Sequence, residues 1–283
     1  MVIIIDGKKL SIEIKEEVNA EVENLNKTLN IRPSLATIIV GNNPASEIYV
    51  NLKHKACEEC GINSLTERFP ETITEKELLE KIYELNNNKD INGILVQMPL
   101  PRHINPAKIM SAILPFKDVD GFNPINSGKI LNNDETLAPC TPKGVIYMLE
   151  KHNIKIEGSE VVIINHSSVV GKPLALMFLN RNATVTVCHV FTKNLKEHIL
   201  KADILISAVG KPNLITEDMV KDGVIVIDVG ISRVNNKVVG DVDFENVKNK
   251  ASFITSVPGG AGPMTIAMLL KNTINACKMQ MKE

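Results

Sequence analysis

Tyr49 and Lys53 form the first pair of residues whose types and spacing suggest chemistry. They lie four residues apart in a segment with helical patterning, so both side chains fall on one face of a helix. A phenol beside an amine can bind a substrate and exchange protons with it. The same spacing is also typical of a solvated surface contact, and alone it leaves both interpretations open.

Three turns in the second half of the chain suggest a nucleotide site. The first, Asn165–Pro173, lacks the Gly-x-Gly-x-x-Gly pattern, but it offers polar residues, a glycine that admits a close helix and a proline suited to a first helical turn. Gly210 and Gly230 also follow predicted strands, at the edge where open α/β sheets bind ligands. One glycine often only permits a tight turn, whereas three such turns favour a dinucleotide crevice.

Cys57 and Cys60 form a Cys-x-x-Cys motif inside a helical pattern. A zinc site would need a second pair, and a redox pair would usually begin a helix. We interpret the two cysteines as small residues on a packed helix face, and we expect no metal. The five cysteines of the chain are an odd, scattered number, as expected of reduced thiols.

The composition narrows the class of ligand. Thirty-two basic and thirty-three acidic residues give a net charge of −1, which argues against nucleic acid and anionic membranes as partners. The chain begins without a cationic segment, and no stretch approaches the ~20 apolar residues of a membrane span. We therefore expect a cytoplasmic protein that acts on a small, neutral or anionic metabolite.

Apolar periodicity predicts alternating helices and strands in the first half. The first element is predicted to be a long surface helix from residue 8 to about residue 30. After it we predict a strand at Leu35–Val40, a helix over 45–60, a strand at Ile62–Arg68, a helix at Glu75–Asn86 and a strand at Gly93–Gln97. The stretch Pro115–Pro142 has little periodicity, and we place a domain boundary there.

The second half shows a βαβαβ succession, which predicts a parallel, doubly wound sheet. A helix over the last residues, Pro263–Lys278, closes the chain. The other predicted elements are helices at Pro142–His152, from Pro173 and at Leu195–Leu200, and strands at Val161–Ile164, Ala183–Val187, Ile204–Ala208 and Val224–Asp228.

Five motifs, taken together, carry a resemblance to a known family. In chain order they are Tyr49-Val50-x-x-Lys53-x-Lys55-Ala56, Gly93-Ile94-Leu95-Val96-Gln97-Met98-Pro99-Leu100-Pro101, Lys117-Asp118-Val119-Asp120-Gly121, Pro139-Cys140-Thr141-Pro142-x-Gly144 and Val257-Pro258-Gly259-Gly260-Ala261-Gly262-Pro263-Met264-Thr265. With these motifs the sequence resembles the bifunctional methylenetetrahydrofolate dehydrogenase/methenyltetrahydrofolate cyclohydrolase family over essentially its whole length.

The resemblance implies a two-domain α/β enzyme of one-carbon metabolism. Residues 1–121 with 264–283 would form an N-terminal α/β catalytic domain that binds folate, because the last helix packs back on it. Residues 140–263 would form a Rossmann-type, NAD(P)-binding domain. The enzyme would oxidise 5,10-methylenetetrahydrofolate, hydrolyse the 5,10-methenyl product to 10-formyltetrahydrofolate in the same cleft between the domains, and form a homodimer.

Carried over by position, the resemblance also implies roles for individual residues. Lys53 would be the main catalytic acid/base, Gln97 would orient it, and Tyr49 would stack on the pterin. Asp120 would grip the amino-pyrimidine edge of the pterin, although an aspartate before Gly121 is also typical of a simple turn. The loop Pro258, Gly259 and Gly260 would bring backbone close to substrate and nicotinamide.

The nucleotide turns depart from the family pattern. The family usually has Gly-Arg-Ser and Cys-His-Ser-x-Thr, where this chain has Asn165-His166-Ser167 and Cys188-His189-Val190-Phe191-Thr192. Both departures fall where the 2′-phosphate of NADP would bind, so we expect NADP as the family default with NAD also used. The expected cofactor-binding residues are Asn165, His166, Ser167, Gly171, Val190, Thr192, Gly210, Gly230 and Ile231.

Two other interpretations stay open at the level of sequence. A different two-domain Rossmann dehydrogenase, such as an amino-acid or shikimate enzyme, would share the fold but lack the five motifs. A nucleotide-sensing or scaffolding protein would have no need of Lys53, Gln97 and Asp120 together. Both are therefore weaker than the folate enzyme.

Overall fold

Parallel strands form the centre of each half of the chain. The computed structural model describes residues 2–235 and 237–281. One compact unit consists of the residues up to Ser11 together with Thr141–Thr265, and the other consists of Ile12–Cys140 with the residues from Ile266 onward. We call them the six-stranded unit and the three-stranded unit, after their sheets.

The elements alternate as expected of an α/β protein. In chain order they are β1 (Ile3–Ile5), α1 (Gly7–Leu29), β2 (Ser34–Val40), α2 (Pro44–Glu59), β3 (Asn63–Phe69), α3 (Glu75–Asn87), β4 (Gly93–Val96), α4 (Pro106–Ala112), α5 (Pro124–Ile130), α6 (Cys140–Lys151), β5 (Glu160–Ile164), α7 (Gly171–Leu179), β6 (Thr184–Cys188), α8 (Leu195–Ile199), β7 (Ile204–Ser207), a 3₁₀ turn (Glu217–Met219), β8 (Ile225–Asp228), β9 (Ser232–Val234), β10 (Lys237–Val239), α9 (Phe244–Val247), β11 (Phe253–Thr255) and α10 (Ala261–Gln280).

The three-stranded sheet has the order β3-β2-β4, and all its pairs are parallel. The central strand β2 is buried along its whole length, which explains why it reads as a continuous apolar run rather than an alternating one. Helix α2 starts where the side chain of Asn43 accepts the N–H groups of Ala45 and Ser46, with Pro44 in the first turn. These local signals fix where the helix that carries Lys53 begins.

The six-stranded sheet has the order β1-β11-β8-β7-β5-β6, again with parallel pairs throughout. Its inner strands β5, β7 and β8 are largely buried, and β6 forms one edge. A short antiparallel hairpin, β9-β10, follows β8. The parallel pairing brings the carboxyl ends of β5, β6, β7 and β8 to one side of the sheet.

The prediction of a two-domain α/β fold with a parallel nucleotide sheet is confirmed, and the predicted helices and strands match observed elements to within two residues at nearly every end. The prediction that the chain begins with a helix is wrong, because β1 precedes it. This strand is defined by its pairing with β11, some 250 residues later in the chain. Its three apolar residues are too few to form a local pattern that predicts a strand. The described residues up to Ser11 accordingly lie in the six-stranded unit.

The predicted structureless stretch Pro115–Pro142 contains the helix α5, which starts at Asn123 with its side chain accepting the Ile125 N–H. The short elements α4, α9, β9, β10 and β11 were not predicted, because each is too short to show a period. Within the described residues, none of the helices is both long and apolar enough to cross a membrane.

Candidate active site

Lys53 and Gln97 form a buried pair in the three-stranded unit. Lys53 lies on α2 with 9% of its surface exposed, and its Nζ donates to Gln97 Oε1 at 3.0 Å. The other side-chain atom of Gln97, Nε2, donates to the carbonyl of Met98 at 2.7 Å. Because the amide nitrogen is engaged by Met98, the amide oxygen is left facing the lysine. The lysine is thus held by a neutral acceptor.

Backbone geometry places this pair at the carboxyl end of the sheet. Gln97 directly follows β4, and its N–H donates to the carbonyl of Ile38 on β2 at 2.8 Å. Tyr49 lies one helical turn before Lys53 on α2 and is half-buried. Helix α2 and the carboxyl ends of β2 and β4 therefore bring the Tyr49 phenol, the Lys53 amine and the Gln97 amide into one region.

Asp120 follows β4 along the chain in the loop Lys117–Gly121 and is half-buried. Burial raises the pKa of its carboxyl group, and the charge of Lys53 acts in the opposite direction. An amine and a carboxyl group in one partly dehydrated region can bind a polar heterocycle and move protons.

The turn-forming aspartate of this loop is Asp118. Its buried carboxylate accepts the N–H groups of Gly121 at 3.1 Å and Asn123 at 2.8 Å, and the side chain of Asn126 at 2.9 Å. Burial raises the pKa of Asp118 to about 6. Asp118, which the sequence analysis names only as a member of a motif, is thus a buried hydrogen-bond acceptor that shapes this loop.

In the six-stranded unit, Asn165 organises the turn after β5. Its Oδ1 accepts the Ser167 N–H at 2.8 Å, the Ser167 hydroxyl at 2.7 Å and the Gly171 N–H at 3.1 Å, and its Nδ2 donates to the Ala208 carbonyl at 2.6 Å. A Cβ atom added at Gly171 would lie 2.0 Å from the Asn165 carbonyl oxygen. Position 171 therefore has to be glycine for α7 to start there.

Two buried aspartates hold the next two turns. Asp241 accepts the Ser207 hydroxyl and the N–H groups of Val209 and Lys211 at 2.7 to 2.8 Å. Asp228, at the end of β8, accepts the N–H groups of Gly230, Asp241 and Val242 at 2.9 to 3.1 Å, and burial raises its pKa to about 6. The sequence analysis did not identify Asp241, because it lies in an irregular segment and is distant along the chain from β7, whose following turn it binds.

Gly210 and Gly230 lie in these turns as predicted. Gly210 has a φ of +76°, and its carbonyl accepts the Ser232 hydroxyl at 2.8 Å. A Cβ atom at Gly230 would lie 2.2 Å from the Asp241 carboxylate. Ile231, the next residue, is about half exposed. Small residues at this edge leave backbone accessible to a ligand.

A turn at the end of β6 presents two apolar side chains to solvent. The Thr192 hydroxyl accepts the His189 N–H at 2.8 Å, and Val190 and Phe191 between them are 81% and 83% exposed. The rings of His166 and His189 lie 4.8 Å apart. The imidazoles of His166 and His189 thus lie side by side where β5 and β6 end. Val190, the next residue, has a side chain that cannot form a hydrogen bond.

The loop Pro258, Gly259 and Gly260 lies in the six-stranded unit, after β11. Gly259 has a φ of +109°, and its carbonyl accepts the Lys8 N–H at 2.9 Å. A Cβ atom at Gly7 would lie 2.0 Å from the Gly260 carbonyl oxygen. The start of α1 and this loop are therefore packed backbone to backbone.

The structure gathers the expected residues into two groups. Lys53, Gln97, Tyr49 and Asp120 lie in the three-stranded unit, whereas the glycine turns, the histidine pair and the Pro258 loop lie in the six-stranded unit. Positions 171 and 230 have no room for a larger side chain, because protein atoms lie where a Cβ atom would be. The turns that these glycines permit lie at the carboxyl edge of the parallel sheet, where α/β proteins bind dinucleotides. Fold and site together define a two-domain, nucleotide-dependent α/β enzyme.

Comparison with known families gives the same answer. Residues 5–120 match the catalytic domain of tetrahydrofolate dehydrogenase/cyclohydrolase, and residues 139–281 match its NAD(P)-binding domain. The chain belongs to the tetrahydrofolate dehydrogenase/cyclohydrolase family, and it is an oxidoreductase and a hydrolase. The resemblance inferred from the five motifs is confirmed, and neither competing interpretation is needed.

Individual relatives cover the whole chain. A bifunctional protein FolD from Nitratiruptor is 56% identical over 277 residues, which is 98% of both chains. The bifunctional FolD structure from Campylobacter jejuni is 52% identical, with a TM-score of 0.97 and 99% of each chain covered. The Trypanosoma brucei FolD structure, described as complexed with NADP and an inhibitor, is 35% identical, with a TM-score of 0.96 and coverage of 100% and 99%.

Proposed function

We propose that one folate site, built on Lys53, Gln97, Tyr49 and Asp120, serves both activities of the enzyme. The chain oxidises 5,10-methylenetetrahydrofolate with NAD(P) and hydrolyses the 5,10-methenyl product to 10-formyltetrahydrofolate. The observation that carries the site assignment is the 3.0 Å hydrogen bond from Lys53 to Gln97. It holds a buried amine against a neutral partner, in a region that Asp120 also influences electrostatically.

In the oxidation, this chain's residues bind and orient the folate. NAD(P), held at the turns of the six-stranded sheet, would supply the hydride acceptor, and loss of a hydride with its electron pair from the methylene carbon leaves a methenyl cation. No proton has to move in this step, so Lys53 serves it by helping to bind and orient the folate, and the acid/base role of Lys53 is more critical in the hydrolysis. Tyr49 offers a flat aromatic face for the pterin, and Asp120 accepts hydrogen bonds from its amino-pyrimidine edge.

In the hydrolysis, Lys53 moves protons. Water adds to the methenyl carbon and loses a proton, which gives a neutral carbinolamine. The bond from that carbon to N5 then breaks as N5 gains a proton, and the remaining hydroxyl loses its proton to solvent, which gives the 10-formyl product and one released proton. Lys53 accepts the first proton and supplies the second, so the amine is restored at the end of each turnover. Gln97 suits this cycle because its oxygen accepts a hydrogen bond from the lysine without forming an ion pair.

We propose that NAD(P) binds at the carboxyl edge of the six-stranded sheet, with Asn165, Ser167, Gly171, Thr192, Gly210, Gly230 and Ile231 shaping the site. His166 and His189 would meet the ribose end, where NADP carries its extra phosphate. Val190 cannot donate a hydrogen bond, and the arginine and serine of the family pattern are absent from these turns, so NADP preference would be smaller than the family norm. We therefore propose use of both NADP and NAD, with NADP as the family default.

We further propose that the protein is a homodimer. Strand β6 lies at the edge of the six-stranded sheet, paired only with β5 among the described strands, and Val187 on it and Leu179 on α7 are partly exposed. An edge strand with apolar neighbours suits association with a second copy. Light scattering of the native protein should give twice the mass of one chain, and Val187→Lys should lower it. A monomeric native protein would contradict the proposal.

A direct assay tests the proposed function. The protein is mixed with 5,10-methylenetetrahydrofolate and either NADP or NAD, and the absorbances of reduced nucleotide and of methenyltetrahydrofolate are followed. We expect reduced nucleotide to form with both, and methenyltetrahydrofolate supplied alone to be hydrolysed. Absence of either reaction in folded protein would refute the assignment of both activities to one site.

A further inference from the structure

Asn272 is a buried amide on α10 that none of the five motifs includes. It is fully buried, and its Nδ2 donates to the carbonyls of Val119 at 2.9 Å and Ala138 at 3.0 Å. An amide nitrogen carries two hydrogens, which can serve both carbonyls, and the Cys140 sulfur lies 3.6 Å from the same nitrogen. One side chain therefore ties the loop Lys117–Gly121 and the segment Leu137–Cys140 to the same helix, within the three-stranded unit.

The two segments that Asn272 joins are tightly packed. The thiol of Cys140 donates to the same Val119 carbonyl at 3.3 Å. Gly121 has a φ of +77°, and a Cβ atom there would lie 2.5 Å from the Pro139 nitrogen. The contact leaves no space for a side chain, so a movement of either segment must displace the other.

The carbonyl that Asn272 holds belongs to the peptide that precedes Asp120. Because a peptide is planar, fixing the Val119 oxygen also fixes the direction in which the chain enters Asp120. On the other flank, the Ile94 N–H of β4 donates to the Lys117 carbonyl at 2.7 Å, and Asp118 accepts the Gly121 N–H. The backbone that carries Asp120 is thus anchored to β4 on one side and to α10 on the other.

We infer that Asn272 is a positioning residue for folate binding, which sets the orientation of Asp120 by clamping the Val119 peptide. The inference rests on the proposed role of Asp120. Without the amide, two buried carbonyls lose a donor and the loop relaxes. Misplacement of a binding group by ~1 Å can cost up to about a hundredfold, and we expect a rise of about tenfold in the KM for methylenetetrahydrofolate in Asn272→Ala.

The experiment compares Asn272→Ala and Asn272→Ser with a matched control. Asn275 lies on the same helix at a less buried position, and its side-chain amide donates a hydrogen bond to the Thr136 carbonyl at 3.1 Å. Asn275→Ala removes that hydrogen bond. The readouts are the KM for methylenetetrahydrofolate, the Kd for NADP and the melting temperature. Serine keeps one donor, so its KM should rise less than that of the alanine variant, while the NADP Kd stays at the native value in all three.

A purely structural role would lower the folded fraction and kcat with an unchanged KM, and this result in both Asn272 variants would overturn the inference. In the double variant Asp120→Ala with Asn272→Ala, the KM should equal that of Asp120→Ala alone, since the clamp has nothing left to position. If the KM of the double variant rose by the product of the two single-variant increases, that result would contradict the inference. An unchanged KM in Asp120→Ala would overturn the proposed function itself, whereas a raised KM there beside a native KM in Asn272→Ala would overturn only the clamp.

Discussion

The two proposed sites of this protein are built in different ways. In the proposed folate site of the three-stranded unit, the groups that would meet the substrate are side chains, above all the Lys53 amine and the Gln97 amide joined at 3.0 Å. In the proposed nucleotide site of the six-stranded unit, they are backbone turns, which hydrogen bonds to Asn165, Asp228 and Asp241 hold in place. A site made of side chains tolerates few substitutions, whereas a site made of backbone tolerates many, provided that its glycines and buried acceptors remain.

This difference explains where the chain departs from its family. The motifs around Lys53, Gln97 and Asp120 follow the family pattern, while the nucleotide turns carry Asn165-His166-Ser167 and Val190 in place of the usual residues. The exposed side chains of His166 and Val190 can change because other residues hold the backbone. Asn165 is different, because it departs from the family pattern and also holds the turn. Cofactor preference can therefore drift while the chemistry stays the same.

The largest expected effect lies in the three-stranded unit. Lys53→Met removes the acid/base group and should lower hydrolysis of methenyltetrahydrofolate by about 10²- to 10⁴-fold, while folate binding survives. Lys55→Met, at an exposed position on the same helix, is the matched control and should keep native activity. Stopped-flow absorbance measures the rate. Hydrolysis at the native rate in Lys53→Met would remove the residue from the mechanism.

The second effect compares the buried aspartates of the two units. The pKa values of Asp118 and Asp228 are raised to about 6 in the folded protein, from an unfolded value near 3.8. Raised carboxyl pKa values favour the protonated folded state, so this contribution to stability is present below pH ~4 and is lost as the pH rises through 6. Each group should contribute on the order of 2 to 3 kcal/mol.

Asp228→Asn tests this, because asparagine does not titrate in this range. The loss of unfolding free energy between pH 4 and pH 7, measured by urea denaturation, should be smaller in the variant than in the native protein. Asp222→Asn, at an exposed position, should leave the native pH dependence unchanged. Identical pH profiles for Asp228→Asn and the native protein would show that burial does not raise this pKa.

Asp120→Ala should have the next effect. A charge-assisted hydrogen bond contributes about 1.5 to 3 kcal/mol, so folate affinity should fall by roughly ten- to a hundredfold while nucleotide affinity stays native. Titration calorimetry measures both affinities, and Asp90→Ala, an exposed substitution in the same unit, serves as control. Native folate affinity in Asp120→Ala would make the carboxylate a structural group only.

The smallest effect concerns the six-stranded unit. His166→Arg with Val190→Ser restores the two family donors and should raise kcat/KM for NADP over NAD by roughly tenfold or more. A native ratio above about a thousand would mean that other residues bind the phosphate.

How far the sequence predicts the molecule also differs between the two units. Lys53, Gln97 and Asp120 lie in motifs, and the alternating pattern predicts the helix and the strand that carry the first two. Asp241 and Asn272 escape prediction because each acts on residues distant in the sequence: Asp241 binds the turn after β7, and Asn272 binds a loop about 150 residues earlier. Strand β1 was missed for the same reason, since its partner β11 lies near the other end of the chain.

The most direct test of the central claim separates the two sites in one variant. Asn165→Ala removes the acceptor that shapes the first nucleotide turn and touches none of the folate residues. Hydrolysis of supplied methenyltetrahydrofolate needs no nucleotide, so its rate should stay native, while dehydrogenase kcat/KM for NADP falls by about tenfold or more. A fall of both activities in the same proportion, in protein with a native melting temperature, would contradict the division of labour between the two units.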